Sequence, residues 1–188
     1  MTQRGKISRD RIIEAANRLI YTKGYNQTSF ADVAEVVGIT KGNLHYHFRS
    51  KDELFDAVIA HRIEVIRDLL QQWDEQFPDA HDKLKRFVQM LRNETPDIIR
   101  YGCPMGSLNV ELGKCQLSLQ SRARDMFDLF RVWLEKTMKQ IDKKNAKALS
   151  LHLFAMAQGA VLMSYVYCDD KLLKDECARI ESWIDSLP

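Results

Sequence analysis

Glycine and proline are scarce: 8 and 4 among 188 residues. An all-β chain needs many tight turns built on these residues, so their scarcity disfavours that class. Cysteine is also sparse. Cys103, Cys115, Cys168 and Cys177 show no C-x-x-C spacing, which argues against a zinc ribbon and a disulfide framework. The opening residues Met1–Lys6 lack the apolar stretch of a signal peptide. There is no Ser/His/Asp pattern, phosphate-cradling loop or metal-ligand cluster. His45 and His47 lie two apart and face different sides of a helix, which makes them poor partners for one metal. The expectation is a reduced, cytoplasmic protein with no catalytic residues, no metal and no cofactor. An enzyme working through Cys103 or a histidine is the alternative.

Charge is missing from one long segment. From Ala148 to Cys168 there is no Asp, Glu, Lys or Arg, and that length spans a bilayer as a helix. Ser150, His152, Gln158, Gly159 and Ser164 interrupt it, and polar side chains are costly in lipid. A helix buried within the chain or at a subunit interface is therefore expected, rather than a membrane anchor. Ala155, Ala157, Gly159 and Ala160 allow a neighbour to approach closely.

What is present suits a globular protein: 45% hydrophobic and 29% charged residues. The net charge of +2 hides an asymmetry. Residues 1–51 hold nine Lys/Arg against four Asp/Glu, and the remainder holds 19 against 22. A basic N-terminal piece on a mildly acidic body suits a polyanionic partner.

Apolar residues recur every three to four positions almost throughout, so the expected class is all-α. A first helix runs from about Ser8 to Lys23, with Ile12, Ile13, Ala16, Leu19 and Ile20 inward and Gly24 ending it. Ser29-x-x-Asp32 opens a second over Phe30–Val37, and Gly38 breaks it. Thr40 caps a third over Lys41–Phe48, and Ser50-x-x-Glu53 is a capping box for a long fourth. Pro78-Asp79 ends that module. Further helices fit His81–Arg100, Ser107–Gly113, Ser118–Asp142, a segment capped by Asn145 and ending at Cys168, and Leu173–Leu187. Tyr101–Gly106 reads as a turn.

The stretch Phe30–Phe48 carries the functional signal. Two short helices joined by a turn at Gly38 make a helix-turn-helix. Val33, Ala34 and Val37 face inward on the first, and Ile39, Leu44 and Phe48 lie beneath the second. The outward side of the second helix is Lys41, Gly42, Asn43, His45, Tyr46 and His47. A helix of this size fits the major groove, where its first residues meet base edges. Gly42 lets the backbone approach DNA. Thr40, Tyr46, His47 and Lys51 suit phosphates, which position without reading sequence. Thr28 and Ser29 offer hydroxyls at a helix start to another phosphate.

These residues resemble the TetR family of regulators. The match runs through Ile13-x-x-Ala16, Leu19, Gly24-Tyr25, Thr28-Ser29, Val33-Ala34, Val37-Gly38-Ile39, Lys41-Gly42-Asn43-Leu44, Tyr46-His47-Phe48, Ser50-Lys51 and Leu54, within residues 8–60. The family usually carries tyrosine where this chain has His45. The resemblance implies about nine helices in two parts: a helix-turn-helix DNA-binding domain over residues 1–50, and a helical effector-binding and dimerisation domain over residues 51–188. The motif itself covers about 30–48, and the family module extends to about 68. It further implies a homodimer through the last two helices, a palindromic double-stranded DNA operator, and repression relieved by a small-molecule effector.

Candidates for the effector pocket are Met90, Tyr101, Cys103, Met105, Phe127, Phe130, Met156, Met163 and Tyr167, since methionine-rich linings adapt to varied apolar ligands. Cys103, flanked by Gly102 and Pro104 beside a helix start, offers an alternative: a thiol of lowered pKa that senses an electrophile or oxidant.

Overall fold

The computed structural model describes residues 3–188, with side chains from Arg9 onward. The described residues form ten helices and no strand. In chain order these are α1 (Gln3–Lys23), α2 (Phe30–Val37), α3 (Lys41–His47), α4 (Lys51–Gln76) and α5 (Ala80–Asn93). They are followed by α6 (Thr95–Tyr101), α7 (Pro104–Cys115), α8 (Leu117–Met138), α9 (Ala146–Tyr167) and α10 (Asp170–Asp185).

Where the boundaries differ from expectation, the reasons are local. The single helix expected over His81–Arg100 is two, because Pro96 lacks an N–H and sits instead in the first turn of α6. α7 begins at Pro104, three residues earlier than the hydrophobic pattern suggested, again with proline in the opening position. α8 stops at Met138. Asn145 does not cap α9 with its side chain; its amide and backbone N–H both donate to the Asp142 carboxylate.

The chain divides into two compact units. The first comprises the chain up to Val65 together with Ser107–Met126; the second comprises Ile66–Gly106 and Phe127–Pro188. Helices α4, α7 and α8 thus contribute residues to both, whereas the expected domain boundary fell once, at residue 50.

In the first unit the inward stripe of α1 is buried as expected: Ile12, Ile13, Ala16, Leu19 and Ile20. Val33, Ala34 and Val37 of α2, Leu44 of α3, Phe48, and Leu54, Phe55, Val58 and Ile59 of α4 share this core with Leu112 of α7 and Ala123 and Met126 of α8. Removing one such side chain costs about 2–5 kcal/mol. Arg122 and Asp56 form an ion pair that ties α8 to α4.

The second unit is built on larger side chains. Phe87, Phe127, Phe130 and Phe154 form one aromatic cluster, with centroids 5.3–6.5 Å apart, and Trp73 meets Trp133 edge to face at 5.5 Å. Beside these rings the Asp74 carboxylate accepts from Trp133 Nε1 at 3.1 Å and pairs with Lys83 and Lys136. Burial works to raise the Asp74 pKa, but its bonds to the Lys136 and Lys83 ammoniums hold it below the usual carboxylate range. α10 packs on α9 and α5, and α6 packs on α9.

Candidate nucleic-acid interface

The helix pair α2–α3 is assembled from local hydrogen bonds. Ser29 caps α2: its hydroxyl accepts from the Asp32 N–H, while the Asp32 carboxylate accepts from the Ser29 N–H and hydroxyl. These bonds, led by those from Ser29, hold Asp32 down to about 2. Gly38 ends α2 in the left-handed region, at φ 75°, and its N–H donates to Ala34 and Glu35 carbonyls. Arg11 of α1 donates to the Val37 carbonyl at 3.3 Å. Thr40 then caps α3, accepting from the Asn43 N–H at 3.2 Å. Leu44 and Phe48 are fully buried beneath it, Ile39 is half-buried, and Arg9 lies over the Phe48 ring at 4.8 Å.

The outward side of α3 has the composition expected of it. Lys41, Gly42, Asn43, His45 and Tyr46 are exposed, Tyr46 by 84%, and His47 is half-buried. Thr40 is exposed at the helix start. A Cβ added at Gly42 meets only Thr40 Oγ1, at 3.9 Å, so space above the helix is open. The His45 ring stands edge-on to Phe30 at 4.9 Å, and Tyr46 stands edge-on to His47 at 5.2 Å. His45 is thus braced by the first residue of α2.

Three of the expected phosphate contacts are corrected. Thr28 is fully buried, and its hydroxyl donates to the Gly24 carbonyl at 2.7 Å. It closes the α1–α2 turn and has no surface to offer. Ser29 is exposed, but its hydroxyl and backbone N–H donors are both engaged by Asp32, which puts a carboxylate where a phosphate was expected. Lys51 is turned inward. Its ammonium donates to the Tyr25 carbonyl at 2.7 Å and lies 4.3 Å from the Tyr25 ring centroid. Burial pushes the Lys51 pKa down, and the charges of Glu111 and Asp52 oppose that shift.

Comparison with known proteins agrees with this geometry over both units. Residues 12–58 match the family of bacterial regulatory proteins of the tetR type, and residues 63–178 match the C-terminal domain of LmrA/YxaF-like transcriptional regulators. The chain belongs to the TetR family. A helix-turn-helix transcriptional regulator from the lacX 3′ region of Lactococcus lactis subsp. lactis is 30% identical over 76% of this chain and 68% of its own length. The regulator LmrA of Bacillus subtilis is 28% identical, over 84% of this chain and 86% of LmrA. The crystal structure of a TetR regulator from Legionella pneumophila superposes with a TM-score of 0.82 at 26% identity, covering 92% of this chain and 95% of that one. TetR regulators bind DNA operators and dimerise, and this chain is a helix-turn-helix transcriptional regulator of that family.

The effector candidates of this TetR regulator fall into separate groups. Phe127 and Phe130 join the aromatic cluster, whose other members, Phe87 and Phe154, were not singled out in the sequence. Met90 and Met156 are half-buried and Met105 is buried. Tyr101 is half-buried, with the Arg100 guanidinium 5.2 Å from its ring centroid. Met163 and Tyr167 are 46% and 65% exposed; they lie on the outward side of α9 and are corrected as interior pocket walls.

Cys103 sits at the α6–α7 junction, following Gly102 at φ 77°. Its Sγ accepts from the Gly106 N–H at 3.2 Å. A Cβ at Gly106 comes within 3.2 Å of Cys103 Cβ and 3.5 Å of Gln158 Oε1 on α9, so only glycine fits that corner without displacement. The expected lowering of the Cys103 pKa is corrected. Burial is the largest effect and pushes the thiol up, although bonds from the Gly106 and Met105 backbone and from Gln158 work against it. The direction of that shift does not favour thiolate chemistry.

Proposed function

We propose that this regulator is a homodimeric repressor acting in the cytoplasm, which reads an imperfect palindrome through α3 and leaves it when a small molecule binds the second unit. The observation that carries the reading is the outward side of α3: five exposed residues, polar or side-chain-free, on a helix anchored from below by Leu44. Lys41, Asn43 and His45 meet base edges, and Gly42 admits the backbone to the groove. Thr40, Tyr46 and His47 hold phosphates.

The dimer forms through α9 and α10. Support comes from the side of α9 turned away from its own core. Leu151, Leu162 and Val166 are 56–60% exposed there, in line with Ala148, Ala155 and Gly159. A Cβ at Gly159 meets nothing within 4 Å, so a second helix fits closely. α9 has the length and apolar composition of a membrane span, yet Ser150, Leu153, Phe154, Ala157, Ala160, Val161 and Ser164 face inward. Its opposite side is covered by a second copy of the chain.

The effector is apolar and lies against the Phe87–Phe127–Phe130–Phe154 cluster, with Met90, Tyr101, Met105 and Met156 as adaptable walls. Cys103 serves there as wall rather than as reactive thiol. An effector that binds the released form better than the DNA-bound form shifts the population off the operator.

The test is selection of bound duplexes from a random pool, repeated with a metabolite panel scored for release. The expected result is an imperfect palindrome with half-sites spaced by about one helical turn or a multiple of it. Failure to enrich any duplex would falsify the reading.

A further inference from the structure

The turn that precedes the helix pair is held by a residue that no DNA-contact pattern singles out. The α1–α2 turn, Gly24–Asn26, is gripped by the Glu111 carboxylate of α7. Glu111 Oε2 accepts from the Tyr25 N–H and Oε1 from the Asn26 N–H, both at 2.8 Å. These bonds to an ionised acceptor are short and strong. Gly24 makes room for the carboxylate. Its φ is +89°, and an added Cβ would lie 2.9 Å from Glu111 Oε2, so glycine is required twice over.

Every polar group of Tyr25 is engaged. The N–H meets Glu111, the carbonyl accepts from Lys51, and the hydroxyl donates to Asp52 at 2.9 Å. The ring stands edge-on to Phe55 at 4.6 Å. Burial, then the bond to Asp52, pushes the Tyr25 pKa up to about 12. Asp52 in turn accepts from Gln116 at 2.9 Å, a second tie to the neighbourhood of α7. Two residues beyond Asn26 the buried Thr28 bonds back to Gly24, and Ser29 then caps α2. The grip therefore reaches the helix pair through a short stretch of main chain, bonded at Tyr25, Asn26 and Thr28.

We propose that Glu111 is a positioning residue for operator recognition: without touching DNA, it fixes the turn that sets where α2, and with it α3, begins. The proposal rests on the reading of α3 as the DNA-contacting helix.

The test compares wild type, E111A and E111Q for affinity to the duplex that wild type selects from a random pool and to a scrambled duplex of equal length. Removing an acid from a basic unit raises non-specific attraction through charge alone, so the two duplexes separate positioning from electrostatics. For E111A we expect a tenfold or greater loss on the selected duplex and an unchanged or slightly increased affinity for the scrambled one. E111Q should fall between, because its amide oxygen replaces one acceptor of the pair. Should E111A fail to fold, E111Q carries the same comparison. Wild-type affinity of both variants for the selected duplex overturns the proposal, as does an equal loss on both duplexes, which marks a merely structural role. A wild type that selects no duplex overturns the DNA reading itself, before any variant is made.

Discussion

Helices α3 and α9 both turn an exposed side outward, and the two sides are opposite in kind. α3 has seven residues, and its exposed side is polar. α9 has 22 residues, and its exposed side carries Leu151, Leu162, Val166 and small residues. The means of support differ as well. A helix of two turns is marginal alone, and α3 relies on the Thr40 cap, the preceding Gly38 turn and the buried Leu44. α9 has no side-chain cap from Asn145 and stands by the packing of its inner residues. The difference points to different partners. A polar, hydrogen-bonding surface is stable in water and meets a hydrated polyanion when one arrives. An apolar surface of this length is costly to leave to water, and under the proposed dimer a second copy of the chain covers it.

The comparison breaks most visibly on α9. Leu162→Arg places a charge in the middle of its apolar side, and the expected result is a monomer by sedimentation. With one reading head per particle, operator affinity should fall by about 10²–10⁴. A variant that remains dimeric with full affinity would show that the dimer uses other residues.

On α3 the expected effects are smaller and depend on sequence. Asn43→Ala should cost about 1–3 kcal/mol of discrimination at the base pair it meets. Repeating the duplex selection with the variant tests this: preference should relax at one position in each half-site. Uniform weakening over all duplexes would assign Asn43 to phosphates.

Gly42→Ala sets stability against binding. The added methyl meets only Thr40 Oγ1 at 3.9 Å in the free protein, and alanine favours the helix by about 0.5–1 kcal/mol. Thermal unfolding should shift upward while operator affinity drops severalfold. If affinity is unchanged, the α3 backbone does not approach DNA closely at this residue.

The smallest effect concerns the cap of α2. Asp32 is held at about 2, below its ordinary 3.8, by its bonds from Ser29. Because the folded-state pKa is the lower one, the capping box contributes fully above pH 3.8 and weakens as pH falls toward 2. Thermal unfolding of wild type and Asp32→Asn between pH 5 and pH 2 should converge at the acid end. A constant gap across that range would show that protonation of Asp32 does not govern the cap.

The features legible in the sequence are those whose partners lie within a turn or two. The Ser29–Asp32 box, the Gly38 turn, the Thr40 cap and the inward stripes of α1 and α4 all follow from residue type and spacing. Pro96 carried a local signal that the expected His81–Arg100 helix passed over: a proline is costly in a helix interior, and it divides that span into α5 and α6. What could not be read were contacts of long range. Tyr25 and Glu111 stand 86 residues apart, and no periodicity pairs them. The same holds for Phe87 with Phe154, and for Gln158 beside Cys103. Lys51 shows how such contacts change a role: a cation beside a reading helix suggests phosphate, yet the carbonyl of Tyr25 holds it.

Gly24 and Glu111 also constrain how this sequence can drift. A side chain arriving at position 24 collides with the Glu111 carboxylate and with the positive φ at once. A shorter side chain at position 111 leaves two backbone N–H groups without their acceptor. The two positions therefore constrain the turn separately: the positive φ strains any side chain at position 24 whatever stands at 111, and no change at 24 supplies the acceptor that a shorter residue at 111 removes.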